Sequence, residues 1–324
     1  MIYSKEKIIL FKGSASAITN NISIKLGKDK KSFDFAVIDR QKIHIVSTDS
    51  LENGQCLNAK SDVTKVGWFT LGYMNCLVIT CIEGLIIYNC DENFNCVYTH
   101  NCEDKSTKEI FAKGIATLDC TYLCVGNSNG SIRVFGPDQE GKITFLDRKL
   151  LHSMPIADMA SLQNNLVSCD ESGCCVLSKF ENRELVLQAR TECFGGFSCT
   201  TTVISKNIIA VGYTNGMIRI FDKASRISID DNEDKLPLSI QISAHARSVT
   251  SISFAKDADL LLSVSEDSWI RVWKSSSGIF SLTFCCMRED ALLMGCQFIS
   301  RNGSKFCTTS YNTPYITCYA QDHE

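Results

Sequence analysis

Residues 261–273 read LLSVSEDSWIRVW, two short apolar runs on either side of a polar turn. The runs are rich in Leu, Ile, Val and Trp, and β-branched and aromatic residues favour strands. Two such runs joined by a tight polar connection are typical of a β-hairpin. This stretch therefore predicts a hairpin.

The same pattern occurs seven times along the chain, and the residues that open the second run are 42 to 52 positions apart. A fixed period of this size indicates a repeat architecture. The other six copies are FAVIDRQKIHIV (35–46), LVITCIEGLIIY (77–88), LCVGNSNGSIRVF (123–135), LVSCDESGCCVLS (166–178), IAVGYTNGMIRIF (209–221) and FCTTSYNTPYITCY (306–319).

Each interval between copies leaves room for two more strands, such as ITFLDRKLL (143–151) and MPIADMA (154–160). Four strands in about 45 residues is the size of a propeller blade. No copy shows the 3.6-residue periodicity of a helix over ten or more residues. The sequence therefore predicts an all-β fold, a single seven-bladed β-propeller over residues 1–324.

The two ends of the chain predict how the ring closes. The last copy ends at about residue 320 and leaves its sheet one strand short, while KIILF (7–11) is a strand-like run with no partner of its own. We expect residues 7–11 to complete the last blade, because closure removes exposed sheet edges. The first blade's inner strand is then expected at residues 14–19.

Composition excludes several function classes. Lys and Arg number 33 against 36 Asp and Glu, for a net charge of −3, so there is no basic excess for a nucleic-acid partner. No stretch of about 18 apolar residues predicts a membrane span. The 18 cysteines, several inside apolar runs (Cys81, Cys124, Cys169, Cys307 and Cys318), are too few for a disulfide scaffold and favour a reducing, cytoplasmic location.

The chemistry-bearing residues form no recognisable enzyme site. The five histidines are scattered and the chain has no Cys-x-x-Cys pair, so a zinc site is not expected. Neither Gly-rich stretch has the spacing of a phosphate-binding loop. The sequence predicts no catalytic residue, no metal and no cofactor.

One copy, with the preceding AHARSVT (244–250), resembles a WD repeat. In that family a His, a Ser or Thr, an Asp and a Trp share a structural hydrogen-bond network, and His245, Ser263, Asp267 and Trp273 stand at those positions. In four other copies the position of Asp267 is taken by Glu83, Asn129, Ser172 and Asn215, so those blades are expected to depend on apolar packing.

The resemblance to the family extends over nearly the whole chain. The segments FKGSASAITNNISI (11–24), IFAKGIA (110–116), CVGNSNGSIRVF (124–135), MPIADMA (154–160), GYTNGMIRIFD (212–222) and SAHARSV (243–249) resemble one small cytoplasmic member of animals. That resemblance implies a non-catalytic interaction protein.

The turns between the second and third strands of the blades open on one face, and we predict that this face binds partners. Arg40, Tyr213 and Tyr311 belong to residue types enriched at interfaces and are the strongest candidates. The full candidate face is Arg40, Glu83, Asn127, Glu171, Tyr213, Asn215, Glu266 and Tyr311.

Three functions remain open from the sequence. The leading one is a scaffold for protein or peptide partners. The second is a reader of a modified peptide side chain at the channel mouth, where aromatic residues would have to form a cage. The third is a propeller enzyme. A short acidic stretch, IDDNED (229–234), is expected in a solvated loop between the third and fourth strands of the fifth blade.

Overall fold

The structure is a computed structural model that describes residues 2–26, 32–48, 54–102, 111–193, 195–225, 227–230, 233–255, 257–276 and 278–322. Within these ranges the chain forms strands and no helix. It accordingly contains no helix long and apolar enough to cross a membrane in the part of the chain that is described.

The strands of the first four blades follow one another along the chain. β1 (Tyr3–Leu10) comes first; blade 1 is β2 (Ile22–Leu26), β3 (Phe33–Asp39), β4 (Lys42–Ser47) and β5 (Gln55–Asn58); blade 2 is β6 (Val63–Leu71), β7 (Met74–Cys81), β8 (Gly84–Asn89) and β9 (Asn95–Asn101); blade 3 is β10 (Ala112–Leu118), β11 (Tyr122–Asn127), β12 (Ser131–Pro137) and β13 (Ile143–Leu150); blade 4 is β14 (Ile156–Leu162), β15 (Asn165–Asp170), β16 (Cys175–Glu181) and β17 (Glu184–Arg190).

Blade 5 contains an insertion, and blade 7 uses both ends of the chain. Blade 5 is β18 (Cys199–Ile204), β19 (Ile208–Tyr213), β20 (Met217–Asp222) and β23 (Leu238–Ser243), with β21 (Ile227–Asp230) and β22 (Glu233–Lys235) inserted; blade 6 is β24 (Val249–Phe254), β25 (Leu260–Ser265), β26 (Trp269–Ser276) and β27 (Ile279–Met287); blade 7 is β28 (Leu293–Phe298), β29 (Lys305–Ser310), β30 (Tyr315–Gln321) and β1.

These strands confirm the predicted all-β, seven-bladed propeller and its closure. All seven predicted hairpins are the second and third strands of a blade. β1 pairs antiparallel with β30, from Tyr3 opposite Gln321 to Leu10 opposite Tyr315. Ile9 and Phe11 are buried in the interface between blades 7 and 1, so the N-terminal strand contributes to the core as well as to the sheet.

The core consists of seven apolar clusters, one at each interface between neighbouring blades. Such packing follows from the alternation of side chains along each strand, which gives every sheet two faces to bury. The predicted burial of the cysteines in apolar runs is confirmed for Cys81, Cys124, Cys169, Cys307 and Cys318.

Threonines near the start of three inner strands hydrogen-bond to the next blade. The Thr64 hydroxyl donates to the carbonyl of Ala112. Thr200 donates to Val249, and Thr250 donates to Leu293 at 2.6 Å. Each of these threonines lies at a register shift in its strand, where the backbone is locally irregular. The blades are therefore joined by polar contacts near the channel as well as by apolar packing.

The expected inner strand at residues 14–19 is wrong. The inner strand of blade 1 is β2, which begins at Ile22. Residues 12–21 form an irregular segment that is bonded to blade 7 on one side and to blade 1 on the other. The four residues 14–17 are serines and alanines, so this stretch lacks the β-branched and aromatic residues that favour strands. Their small side chains leave a cleft above the segment.

The acidic stretch 229–234 has the predicted place between the third and fourth strands of blade 5, but its backbone is not a free loop. β21 and β22 pair with each other, and β22 continues the sheet of blade 4 by parallel pairing with β17. Leu236 follows this hairpin and is buried between blades 4 and 5. Residues 231 and 232 lie outside the described ranges.

Candidate functional site

The network predicted in blade 6 is present in full. The His245 ring lies 3.0 Å from Asp267 through Nδ1 and 2.9 Å from the Ser263 hydroxyl through Nε2. The Trp273 indole N–H donates to the same hydroxyl at 3.0 Å. Asp267 also accepts the backbone N–H groups of Ala246 and Trp269. Because these groups are buried and bonded to one another, they hold the blade together.

Blade 4 contains a second hydrogen-bond network of the same kind. The expectation that this blade depends on apolar packing is therefore wrong. His152 Nδ1 lies 2.9 Å from Asp170, and its Nε2 lies 2.7 Å from the Ser168 hydroxyl. Asp170 also accepts the N–H groups of Ser172 and Cys174. Asp170 comes two residues after Ser168, whereas Asp267 of blade 6 comes four residues after Ser263. Comparison of the sequence copies therefore matched Ser172, not Asp170, with Asp267.

The face formed by the turns between second and third strands carries a groove of about 710 Å³ where the ring closes. We call it the closure groove. One wall is the turn of blade 7 and the other is the turn of blade 1, and the N-terminal segment forms the floor. Its lining residues are Ser14, Ala15, Ser16, Ala17, Asp39, Arg40, Gln41, Lys42, Asp62, Tyr311 and Asn312.

Backbone hydrogen bonds hold the floor to both walls. The N–H of Ala15 donates to Thr313 at 3.1 Å, and Asn312 donates back to the Ala15 carbonyl at 2.9 Å. On the other side, the Ser16 N–H donates to Ile38 at 2.9 Å. The small side chains of the floor leave the space above it open, which explains why a groove exists at this seam.

Arg40 and Tyr311 lie on opposite walls of the closure groove. The Arg40 backbone has a left-handed φ of 52°, and its N–H donates to the Ser16 hydroxyl at 2.6 Å. Its side chain is exposed. Tyr311 is 48% exposed, and its backbone N–H donates to the Leu292 carbonyl at 2.8 Å. Both side chains thus extend from backbone held by hydrogen bonds, which lowers the entropy cost of binding.

Two of the predicted face residues are buried, and for them the prediction of partner contact is wrong. Tyr213 is fully buried between blades 4 and 5, where the Arg219 guanidinium lies 4.2 Å from its ring centre. Burial also raises the pKa of Tyr213. The Asn127 side chain is turned inward and donates to the Ser131 carbonyl at 3.1 Å. An aromatic cage at the channel mouth could not use Tyr213.

The remaining four candidates lie on the same face but outside the closure groove. Glu83 is exposed on blade 2. Glu171 lies 3.7 Å from Lys113. Asn215 and Glu266 are half-buried in the turns of blades 5 and 6. Sequence reasoning missed the floor residues, Lys42 and Asp62, although the run of small residues at 14–17 could have indicated an open surface.

The middle of the ring holds a polar plug centred on Asn20. Its side-chain N–H₂ group donates to Asp158 at 2.9 Å and to Thr201 at 2.8 Å, and its oxygen accepts from the Ser251 hydroxyl. Lys65 donates to the other oxygen of Asp158 at 2.9 Å. The direct partners of Asn20 belong to blades 4, 5 and 6, and Lys65 of blade 2 joins them through Asp158. One side chain can contact three blades only near the propeller axis.

Comparison with known families and proteins agrees with this architecture. The model of the WDR54 family matches residues 2–321. WD repeat domain 54 of Rattus norvegicus is 28% identical, over 97% of this chain and 98% of that protein. WD repeat-containing protein 54 of Homo sapiens is also 28% identical, over 96% and 97%. The resemblance seen in the sequence segments is thereby confirmed.

Solved structures share the fold at low sequence identity. A chain in the crystal structure of the mitotic checkpoint complex has a TM-score of 0.77 at 13% identity, covering 98% of this chain and 92% of that one. The structure of U3-55K has a TM-score of 0.72 at 13% identity, covering 97% and 98%. At this level of identity the likeness shows the fold alone.

Proposed function

Because the chain belongs to the WDR54 family of WD repeat propellers, we propose that it is a non-enzymatic scaffold that docks a protein or peptide partner in the closure groove. The observation that carries the proposal is that Arg40 and Tyr311 lie on opposite walls of this one groove. Arginine and tyrosine are enriched among the residues that dominate binding energy, and loops held by a rigid scaffold are common sites of function.

The non-enzymatic part of the proposal is supported by where the Ser, His and Asp groups lie. Ser263 and Ser168 are 0% and 1% exposed, and each hydroxyl is bonded to a histidine. A nucleophile must reach a substrate carbonyl beside an oxyanion hole. These hydroxyls are enclosed between blades, so they act as structural groups.

A protein partner in the cytoplasm fits the composition best. The 18 cysteines are too few for a disulfide scaffold, and several of them, including Cys169 and Cys175, are buried in apolar surroundings. Such chemistry suits a reducing compartment. The net charge of −3 gives no electrostatic attraction to a phosphate backbone.

The test is affinity purification from cells with quantitative mass spectrometry, comparing wild type with the double variant Arg40→Ala/Tyr311→Ala. The matched control is Arg247→Ala/Phe197→Ala, which removes an exposed arginine and a 44% exposed aromatic from the same face outside the groove. We expect the groove variant to lose a partner that the control retains, with equal melting temperatures. Retention of every partner by the groove variant would refute docking in the closure groove.

A further inference from the structure

We propose that Asn20 is a positioning residue for the closure groove: its hydrogen bonds in the channel hold the groove floor in place and so set the affinity for the partner. This inference rests on the proposed docking in that groove. It assigns a role in recognition to a residue that does not line the groove.

Asn20 is held in the channel by hydrogen bonds of both its side chain and its backbone. Both polar atoms of the Asn20 side chain are hydrogen-bonded, to Asp158, Thr201 and Ser251. Its backbone N–H donates to the carbonyl of Met294 at 3.0 Å, in blade 7. The backbone φ is 54°, in the left-handed region that Asn and Gly tolerate best. Residue 20 is therefore anchored through its side chain and its backbone together.

A short chain of contacts leads from this anchor to the groove. The neighbouring Asn21 is fully buried, and its side-chain N–H₂ donates to the Ser16 carbonyl at 2.9 Å. Its own carbonyl accepts the N–H of Ile38 at 3.0 Å. The Ser16 hydroxyl in turn accepts the Arg40 N–H at 2.6 Å. Release of residue 20 would thus loosen Asn21, then the floor at Ser16, and then the turn that presents Arg40.

The experiment measures amide hydrogen exchange in the full chain without a partner. Asn20→Gly removes the side-chain bonds but keeps the left-handed backbone accessible, so loosening cannot be attributed to backbone strain. We expect exchange at Ala15, Ser16 and Arg40 to be roughly tenfold faster, the effect of losing one or two hydrogen bonds. Thr201→Val, a variant of similar shape outside the segment, should produce a smaller increase at the same amides.

The matched control is Asn89→Ala. Asn89 is 8% exposed, lies in blade 2 and accepts the Asp91 N–H at 2.9 Å. Its removal should leave exchange at residues 15, 16 and 40 unchanged even if the melting temperature falls. Equal exchange at these amides in wild type, Asn20→Gly and Thr201→Val would overturn the proposal.

The second readout is the yield of the co-purified partner that the groove variant loses. Asn20→Gly should reduce this yield, whereas Asn89→Ala should not. Faster exchange with an undiminished yield would overturn the positioning role while leaving docking in the groove intact. If Arg40→Ala/Tyr311→Ala loses no partner, docking itself fails, and the exchange measurement alone then decides whether Asn20 holds the floor.

Discussion

Blades 4 and 6 hold a histidine in the same way with an aspartate from different positions of the turn. In blade 6 the aspartate is four residues after the serine, and in blade 4 it is two residues after it. Blade 6 completes the network with the Trp273 indole, whereas blade 4 has Ser178 at that position. The requirement is therefore a carboxylate oxygen near Nδ1 of the ring, and more than one turn can supply it.

Removal of the two aspartates gives the largest expected effect. Asp170→Ala and Asp267→Ala should each lower the free energy of unfolding by about 1–3 kcal/mol, because each removes the carboxylate that bonds the histidine Nδ1 and leaves two backbone N–H groups without their acceptor. Chemical denaturation of both variants measures the difference. A loss in blade 6 alone would show that the blade 4 network contributes nothing to stability.

Acidification should weaken both networks. Burial by itself would raise the pKa of Asp170 and Asp267, but the pKa of each is lowered, because the hydrogen bond and charge of the neighbouring histidine together with the other hydrogen bonds to each carboxylate outweigh burial. A carboxylate with a lowered pKa stabilises the fold above its unfolded pKa of about 3.9. This stability is lost as the pH falls through the folded pKa.

The free energy of unfolding should accordingly fall as the pH drops below about 4. Asp170→Asn and Asp267→Asn should each flatten that fall, since an amide does not titrate. Denaturation curves between pH 5 and pH 2.5 provide the measurement. If only one substitution flattens the profile, the two networks are not electrostatically equivalent.

Trp273→Phe tests the member that blade 4 lacks. The change removes the indole N–H that donates to Ser263 at 3.0 Å, and we expect a loss of about 1 kcal/mol. The Ser263 hydroxyl keeps its contact with His245, so the blade should stay folded. A loss as large as that of Asp267→Ala would contradict this ranking, because the tryptophan would then contribute as much as the aspartate to the stability of the blade.

Ser178→Ala should have the smallest effect. The Ser178 hydroxyl is buried without a hydrogen-bond partner among the described residues. Replacing an unpaired buried hydroxyl with hydrogen should leave stability unchanged or raise it by up to about 1 kcal/mol. Ser168→Ala in the same blade is the control, because it leaves His152 Nε2 unpaired and should be destabilising. A clear loss from Ser178→Ala would contradict this account of blade 4.

Local patterns explain which features were predictable. Hairpins depend on neighbouring residues, so all seven were found from runs and turns, and Asp267 was found because it stands where a WD repeat has it. Asp170 was missed because the spacing of the WD repeat pattern does not show that an aspartate two residues earlier can also place its carboxylate beside the histidine. Tyr213 was misplaced because its exposure depends on Arg219 and blade 4, not on its own turn.

The sequence by itself determined the class of fold, the number of blades and the closing strand, because the alternation within strands, the period of about 45 residues and the strand missing from the last repeat can all be read along the chain. Only the tertiary structure decided the closure groove and the plug. Asn20 meets residues 138, 181 and 231 positions away. Such contacts arise when the ring brings distant blades to one axis, and no spacing along the chain encodes them.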